Sequence, residues 1–212
     1  MRASVLIPCV ARHIGLLPEL FNHLARQTVR PDEVVVSVSG AATMPTAVAN
    51  AAALHRFPIR ILPQPGFANA ARNRNLAADA SKGELLIYQD ADDLPHPQRV
   101  ELLRALFETY EIDHAVHYFT RQHWSPGERY EARTVGSEAQ GEDQFVFSYH
   151  VTNGNPATTR GVHKTVWWPE NLNVGEDVHF NTAACAKFRS RSAVLRLPLL
   201  LYRQHLSGTQ YR

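Results

Sequence analysis

The segment Asp90-Ala91-Asp92-Asp93 places three carboxylates in four residues, directly after the apolar run Leu85-Leu86-Ile87-Tyr88-Gln89. In extended backbone, residues i and i+2 face the same side, so Asp90 and Asp92 can present their oxygens to one point while Asp93 turns elsewhere. Such oxygens suit a hard divalent cation, Mg²⁺ or Mn²⁺, which keeps open positions for phosphate oxygens. The alternative is a solvated acidic turn leading into a helix that starts near Pro97, where Asp is a common residue.

A second candidate is Gly66-Phe67-Ala68-Asn69-Ala70-Ala71-Arg72-Asn73. A glycine ahead of a helix whose first turns carry Asn and Arg can offer backbone amides and a guanidinium to an anion. Arg72 and Arg74 also fit the ordinary solvated face of an Ala-rich helix. The position of this segment, one strand ahead of the aspartates, favours the anion reading.

The elements that must hold these residues follow from hydrophobic period. Ala3 to Cys9 reads as a buried strand, and Leu16, Leu17, Leu20, Phe21 and Leu24 recur at helical spacing. Glu33 to Ser39 and Ile59 to Leu62 read as strands, Ala47 to His55 and Asn69 to Ala80 as helices, and Leu85 to Gln89 as a fourth strand. This alternation predicts an α/β fold with a parallel, doubly wound sheet, whose ligands sit at the carboxyl ends of the strands. Beyond Asp93 the rhythm changes. A helix from Pro97 to Tyr110 precedes polar and aromatic segments from His114 to Tyr149 that suggest an antiparallel or mixed addition, followed by a helix from Gly175 to Lys187 and an apolar strand from Ala193 to Leu201. Asn153-Gly154-Asn155-Pro156 reads as a turn.

Composition narrows the partners. The 212 residues, 44% of them hydrophobic, suffice for one domain with a full core. Lys and Arg total 22 against 20 Asp and Glu, too small a basic excess for a protein that must neutralise many phosphates, so nucleic acid is excluded as a partner. No membrane-spanning segment is present. Cys9 and Cys185 lie far apart in sequence, which argues against a disulfide framework and for a reduced, cytoplasmic setting.

Ser4-Val5-Leu6-Ile7-Pro8, then Leu24-x-x-Gln27-x-x-x-Pro31-x-Glu33-Val34-Val35-Val36, then Ala71-Arg72-Asn73, Gly83-Glu84-Leu85-Leu86-Ile87 and Asp90-Ala91-Asp92-Asp93-x-x-x-Pro97-x-Arg99 occur in that order. Together with Glu176-Asp177-Val178 and Tyr202-Arg203-x-His205-x-Ser207, they resemble the GT-A fold glycosyltransferases of the family 2 type, and the matches run through nearly the whole chain.

The resemblance implies one GT-A domain over residues 1–212, with a Rossmann-like, mainly parallel sheet, a nucleotide-sugar-binding half at 1–93 and an acceptor-side half at 94–212. It implies a metal-dependent, inverting transfer of a sugar from a nucleotide-sugar donor, a UDP-sugar ahead of a GDP-sugar, to a glycan or lipid-linked acceptor. Carried over by residue, Asp92 and Asp90 would bind Mn²⁺ or Mg²⁺, with His205 a third ligand. Pro8, Cys9, Ser39, Arg72, Asn73, Asp90 and Ala91 would contact the donor. Asp177 would be the base that deprotonates the acceptor hydroxyl, with Glu176 beside it. Trp167 and Trp168 could offer an aromatic face to a sugar ring, or else anchor a loop to the core. One departure stands out: the family usually ends its second strand with acidic residues, whereas this chain has Val38-Ser39-Gly40, which leaves the choice of base open. A nucleotidyltransferase and a binding module without catalysis are the alternatives.

Overall fold

In the computed structural model, which describes residues 1–131, 139–140 and 154–203, the first strand, β1 (Ala3–Val10), forms the spine of the sheet. Its neighbours are β2 (Glu33–Ser39) on one side and β4 (Leu85–Tyr88) on the other, both parallel, with β3 (Ile59–Gln64) parallel to β2. Three helices return the chain between these strands: α1 (Leu17–Ala25), preceded by a 3₁₀ turn at Ala11–Leu16, then α2 (Thr46–Ala53) and α3 (Ala70–Ala80). The strands are apolar throughout because both faces are covered. Val5, Ile7, Val34, Val36 and Ile87 pack toward α1, while Leu6, Val35, Leu86 and Tyr88 pack toward α3. Each such side chain contributes about 1.5–3 kcal/mol by leaving water.

Past the acidic segment the sheet becomes mixed. The chain forms β5 (Leu94–Pro95), α4 (Arg99–Thr109), β6 (His114–Thr120), β7 (Ala139–Gln140), β8 (Ala157–Thr159), a short α5 (Arg160–His163), α6 (Glu176–Phe188) and β9 (Ser192–Leu201). The order across the sheet is β3-β2-β1-β4-β8-β6-β9-β5, with β7 on β9. β8 is antiparallel to β4 and β6, whereas β9 runs parallel to β6. The mixed addition expected from sequence is therefore built around β8 and β5, two strands too short to show a period of their own. Among the described residues no helix is long and apolar enough to cross a membrane.

Pairing of Leu94 and Pro95 with Leu201 and Leu200 brings the end of β9 to the acidic segment. Arg203 then closes over it, donating its backbone N–H to Asp93 Oδ1 at 3.0 Å and its Nε to the Asp92 carbonyl, with Nη1 on Glu19 at 2.6 Å. His205, expected as a third metal ligand, lies outside the described residues.

Candidate active site

β4 delivers Gln89 and Asp90 to the carboxyl edge of the sheet, where the backbone leaves the extended state. A turn closes with the Asp93 N–H donating to the Asp90 carbonyl at 3.3 Å. This corrects the expectation that Asp90 and Asp92 converge by strand alternation; the turn brings them within electrostatic range of each other. Ala91, in the middle of this turn, is 2% exposed and packs into the core.

The loop is held from behind by a buried cation. Arg99 donates to the Tyr88 carbonyl (2.8 Å), the Asn155 carbonyl (3.0 Å), Gln89 Oε1 (3.1 Å) and His117 Nε2 (3.0 Å). Gln89 in turn donates to the carbonyls of Asp90 and Asp93 at 3.0 and 3.1 Å. His117 Nδ1 lies 2.9 Å from the Tyr118 carbonyl and must donate there, so the ring is the neutral tautomer whose Nε2 accepts from Arg99. Burial and the neighbouring guanidinium push its pKa well below the usual range. Burial lowers Arg99 to about 9, offset by Asp90 and Asp93, so it stays charged at neutral pH.

From the front, Asp90 is gripped on both oxygens. Arg74 Nη2 lies 2.9 Å from Oδ1 and Asn155 Nδ2 donates to Oδ2 at 3.1 Å. Burial pushes the Asp90 carboxyl up to about 6, with Arg74 pulling it down and the charges of Asp92 and Asp177 pushing it up. Asp93 is buried and raised for the same leading reason, its burial. Asp92 differs from both. It is half-buried, and among the described residues its carboxylate has no hydrogen bond or ion pair. Beneath it Cys9 is 2% exposed, and burial followed by the Asp92 charge pushes its thiol up to about 12, so Cys9 is a neutral packing group.

Across the site, Gly175 takes a left-handed φ of 76° at the start of α6, and the first helical turn carries Glu176 and Asp177. Carboxylates are favoured at that end of a helix. Glu176 Oε1 lies 2.9 Å from Arg74 Nη1. Asp177 Oδ1 accepts the Val178 N–H at 2.8 Å, and the Asp177 charge acts on both Arg74 and Asp90. Arg74 is 3% exposed and stacks 4.3 Å above the Trp168 ring. Burial disfavours its charge, yet Asp90, Glu176 and Asp177 more than compensate and raise its pKa.

Several residues expected at the ligand are committed elsewhere. Asn73 is fully buried; it accepts from Ser37 Oγ at 2.9 Å and donates to Ser39 Oγ, the Ala68 carbonyl and the Cys9 carbonyl at 3.1–3.4 Å. Ser39 spends its own proton on the Ala68 carbonyl at 2.9 Å. These two side chains knit the ends of β1 and β2 to α3. Pro8 is buried in β1 at the same edge. Arg72 is exposed, its backbone N–H capped by Asn69 Oδ1 at 2.9 Å.

Trp168 is 1% exposed, stacked on Phe180 at 4.0 Å and edge-on to Tyr88 at 5.1 Å, so it presents no face to a sugar. Trp167 is exposed, but it packs on His163, which bonds Asp79 in the last turn of α3, whereas Arg74 lies in the second turn. Arg74 was given no role from the sequence, Arg99 was read only as part of the acidic motif, and Gly154 and Asn155 only as part of a turn, whereas all four hold the acidic segment. Arg74 was visible only as one of two arginines on an Ala-rich helix, and its partners lie 16 and 102 residues away.

A divalent cation fits this donor set. Asp90, Glu176 and Asp177 act on one guanidinium and Asp92 acts on Asp90, leaving an excess of negative charge, and the Asp92 carboxylate makes no hydrogen bond or ion pair among the described residues. Among the described residues no three His, Cys, Asp or Glu side chains form a cage, and a cation at Asp92 would need further ligands such as phosphate or water, which Mg²⁺ and Mn²⁺ commonly take.

A mainly parallel sheet that delivers an acidic turn at its carboxyl edge opposite a second carboxylate pair defines the GT-A fold. The chain belongs to glycosyl transferase family 2, whose sequence profile matches residues 4–192. The fold is similar to that of S. aureus TarS 1-349, at 19% identity and a TM-score of 0.70, over 92% of this chain and 58% of that one. It is similar to the mannosyltransferase PcManGT from Pyrobaculum calidifontis in complex with GDP-Man and Mn²⁺, at 19% identity and a TM-score of 0.62, over 93% and 57%. It is also similar to glucosyl-3-phosphoglycerate synthase from Mycobacterium tuberculosis in complex with Mn²⁺, UDP and glucosyl-3-phosphoglycerate, at 15% identity and a TM-score of 0.68, over 95% and 72%. The chain thus spans little more than half the length of the first two. A comparison with curated protein sequences finds no match.

Proposed function

We propose that this chain transfers a sugar from a nucleotide-sugar donor to a hydroxyl acceptor by a single inverting displacement that requires a divalent cation. The observation that carries this reading is that Arg74 bonds both Asp90 and Glu176 at 2.9 Å, which sets the acidic turn bearing Asp92 against the helical turn bearing Asp177. Asp177 takes the proton of the attacking hydroxyl, and Glu176, bonded to Arg74, fixes the first turn of α6 that carries it. Asp92 would hold the cation, Mn²⁺ or Mg²⁺. The cation, when bound, neutralises the charge that develops on the leaving diphosphate.

A UDP-sugar is the first donor to test and a GDP-sugar the second, since S. aureus TarS was crystallised with UDP-GlcNAc and PcManGT with GDP-Man. Because β2 ends in Ser39, recognition of the base uses groups other than an acidic side chain at that position. Residues 1–93 supply most donor contacts and 94–212 face a glycan or lipid-linked acceptor. The free thiols of Cys9 and Cys185 fit a reducing, cytoplasmic setting.

The test is isothermal titration of UDP and GDP into the protein with and without Mn²⁺, repeated with Asp92→Ala. Metal-dependent affinity that the variant loses supports the reading. Affinity indifferent to both the metal and Asp92 overturns it, and pyrophosphate release from a nucleoside triphosphate would assign the site to nucleotidyl transfer instead.

A further inference from the structure

Asp90 and Glu176 belong to segments far apart in the chain, carry like charges, and are each bonded at 2.9 Å to a different terminal nitrogen of Arg74. From this arrangement we infer that Arg74 is a positioning residue that couples the donor side of the site to the acceptor side, so that a change at Asp90 is felt at Glu176 and the neighbouring Asp177. The inference rests on the proposed transfer reaction for the meaning of the two sides. The coupling itself rests on geometry.

A guanidinium is a rigid plane with its donors in a fixed fork, so rotating one nitrogen moves the other. Here the plane has little freedom. Its lower face lies 4.3 Å from the Trp168 ring. Trp168 is itself stacked at 4.0 Å, with an interplanar angle of 3°, on Phe180 of α6, the helix that carries Glu176. Asn75, the next residue on α3, clamps the Trp168 backbone by accepting its N–H at 3.1 Å and donating to its carbonyl at 3.0 Å. On the side of Asp90, Gly154 closes the arrangement. A Cβ there would lie 2.7 Å from Asp90 Oδ2 and 2.9 Å from Arg74 Nη2, so backbone packs directly on the ion pair.

Arg74 is thus braced by α6 through Trp168 and Phe180 and bonded to both carboxylates. Any change in the Asp90–Arg74 bond, such as a donor held beside Asp92 would cause, is passed to Glu176 through the same plane. A lysine could not do this, because one ammonium lacks the paired, coplanar donors.

The experiment is a double-mutant cycle on the full chain. Asp90→Asn and Glu176→Gln are made singly and together, first with Arg74 present and then in Arg74→Gln and Arg74→Lys backgrounds. Urea unfolding is read without ligand, and UDP affinity is read by calorimetry with Mn²⁺ present. With Arg74 in place, the two changes are expected to be non-additive by about tenfold in the unfolding equilibrium, and the coupling is expected to fall in both altered backgrounds to what direct repulsion between the two carboxylates leaves. Glu176→Gln is likewise expected to change UDP affinity severalfold only when Arg74 is present. Additivity with Arg74 present, or coupling undiminished in Arg74→Gln, overturns the inference. A merely structural arginine would lower stability without making the cycle depend on it. If the wild-type protein binds no nucleotide, the proposed function fails, while the unfolding cycle still decides the coupling.

Discussion

Asn155 grips Asp90 at both ends: its Oδ1 accepts the Asp90 backbone N–H at 2.6 Å while its Nδ2 donates to Asp90 Oδ2 at 3.1 Å. The amide is needed for its two different atoms, one acceptor and one donor, in a fixed geometry. Asn155→Asp keeps the shape but replaces the donor with a second carboxylate oxygen against Asp90. Loss of at least tenfold in Mn²⁺-dependent UDP affinity is expected from this variant, with destabilisation of about 1–3 kcal/mol in urea unfolding. Asn155→Ala, which removes the bonds without adding charge, should be milder in both measurements.

Gly154→Ala tests the crowding at the ion pair. The added methyl would meet Asp90 Oδ2 and Arg74 Nη2 inside 3 Å, and both groups are pinned by other bonds, so neither can retreat cheaply. About 1–3 kcal/mol of stability should be lost, as for other overpacked sites. Calorimetry should show weaker nucleotide binding in the same variant.

Asp92→Asn separates stability from function. The native side chain adds a negative charge beside Asp90 and Asp93 and makes no compensating bond among the described residues. Removing that charge relieves repulsion, so the melting temperature should hold or rise while the Mn²⁺ enhancement of nucleotide binding disappears. A large fall in melting temperature would show that Asp92 is a structural residue.

Asp177→Asn removes a base while keeping the hydrogen bond to the Val178 N–H. Turnover of a nucleotide-sugar should fall about 10²–10⁴-fold, with UDP affinity within threefold of wild type. Equal losses in both would place Asp177 in donor binding.

His114 supplies a pH dependence remote from the site. It is fully buried, bonds Asn181 Oδ1 through Nε2 at 2.8 Å, and burial lowers its pKa to about 4. Because the unfolded chain binds this proton near 6.5 and the folded chain only near 4, folding loses stability as pH falls through that window. The loss approaches about 3 kcal/mol by pH 4. Asp90, raised to about 6, acts with the opposite sign, favouring the folded state as it protonates. The measurement is therefore a difference: urea unfolding at pH 7 and pH 4 for wild type and His114→Gln. The wild type should lose more stability than the variant between the two pH values.

Much of the fold was legible because it rests on local patterns. The β-branched run at 33–39 and the apolar run at 3–9 form central strands where a period of burial on both faces requires them. The helix after Gly175 begins one residue later than the glycine, which serves as its left-handed start. The short strands β5 and β8 were not legible, since two or three residues carry no period and pair only because β9 and β4 offer open edges. The acidic segment and the Glu176-Asp177 pair were found by residue type alone, but the turn that aims the first was not.

What the sequence determined by itself is the family, the parallel alternation of strands and helices, and the carboxylates available for chemistry. Only the tertiary structure decided which arginine serves them. Arg72 and Arg74 are two residues apart on one helix and chemically identical, yet one is exposed and the other buried between Asp90 and Glu176 over Trp168. The reason is electrostatic and long-range: a guanidinium leaves water only where opposite charges and an aromatic face replace its hydration, and those groups come from three separate stretches of chain that meet only on folding.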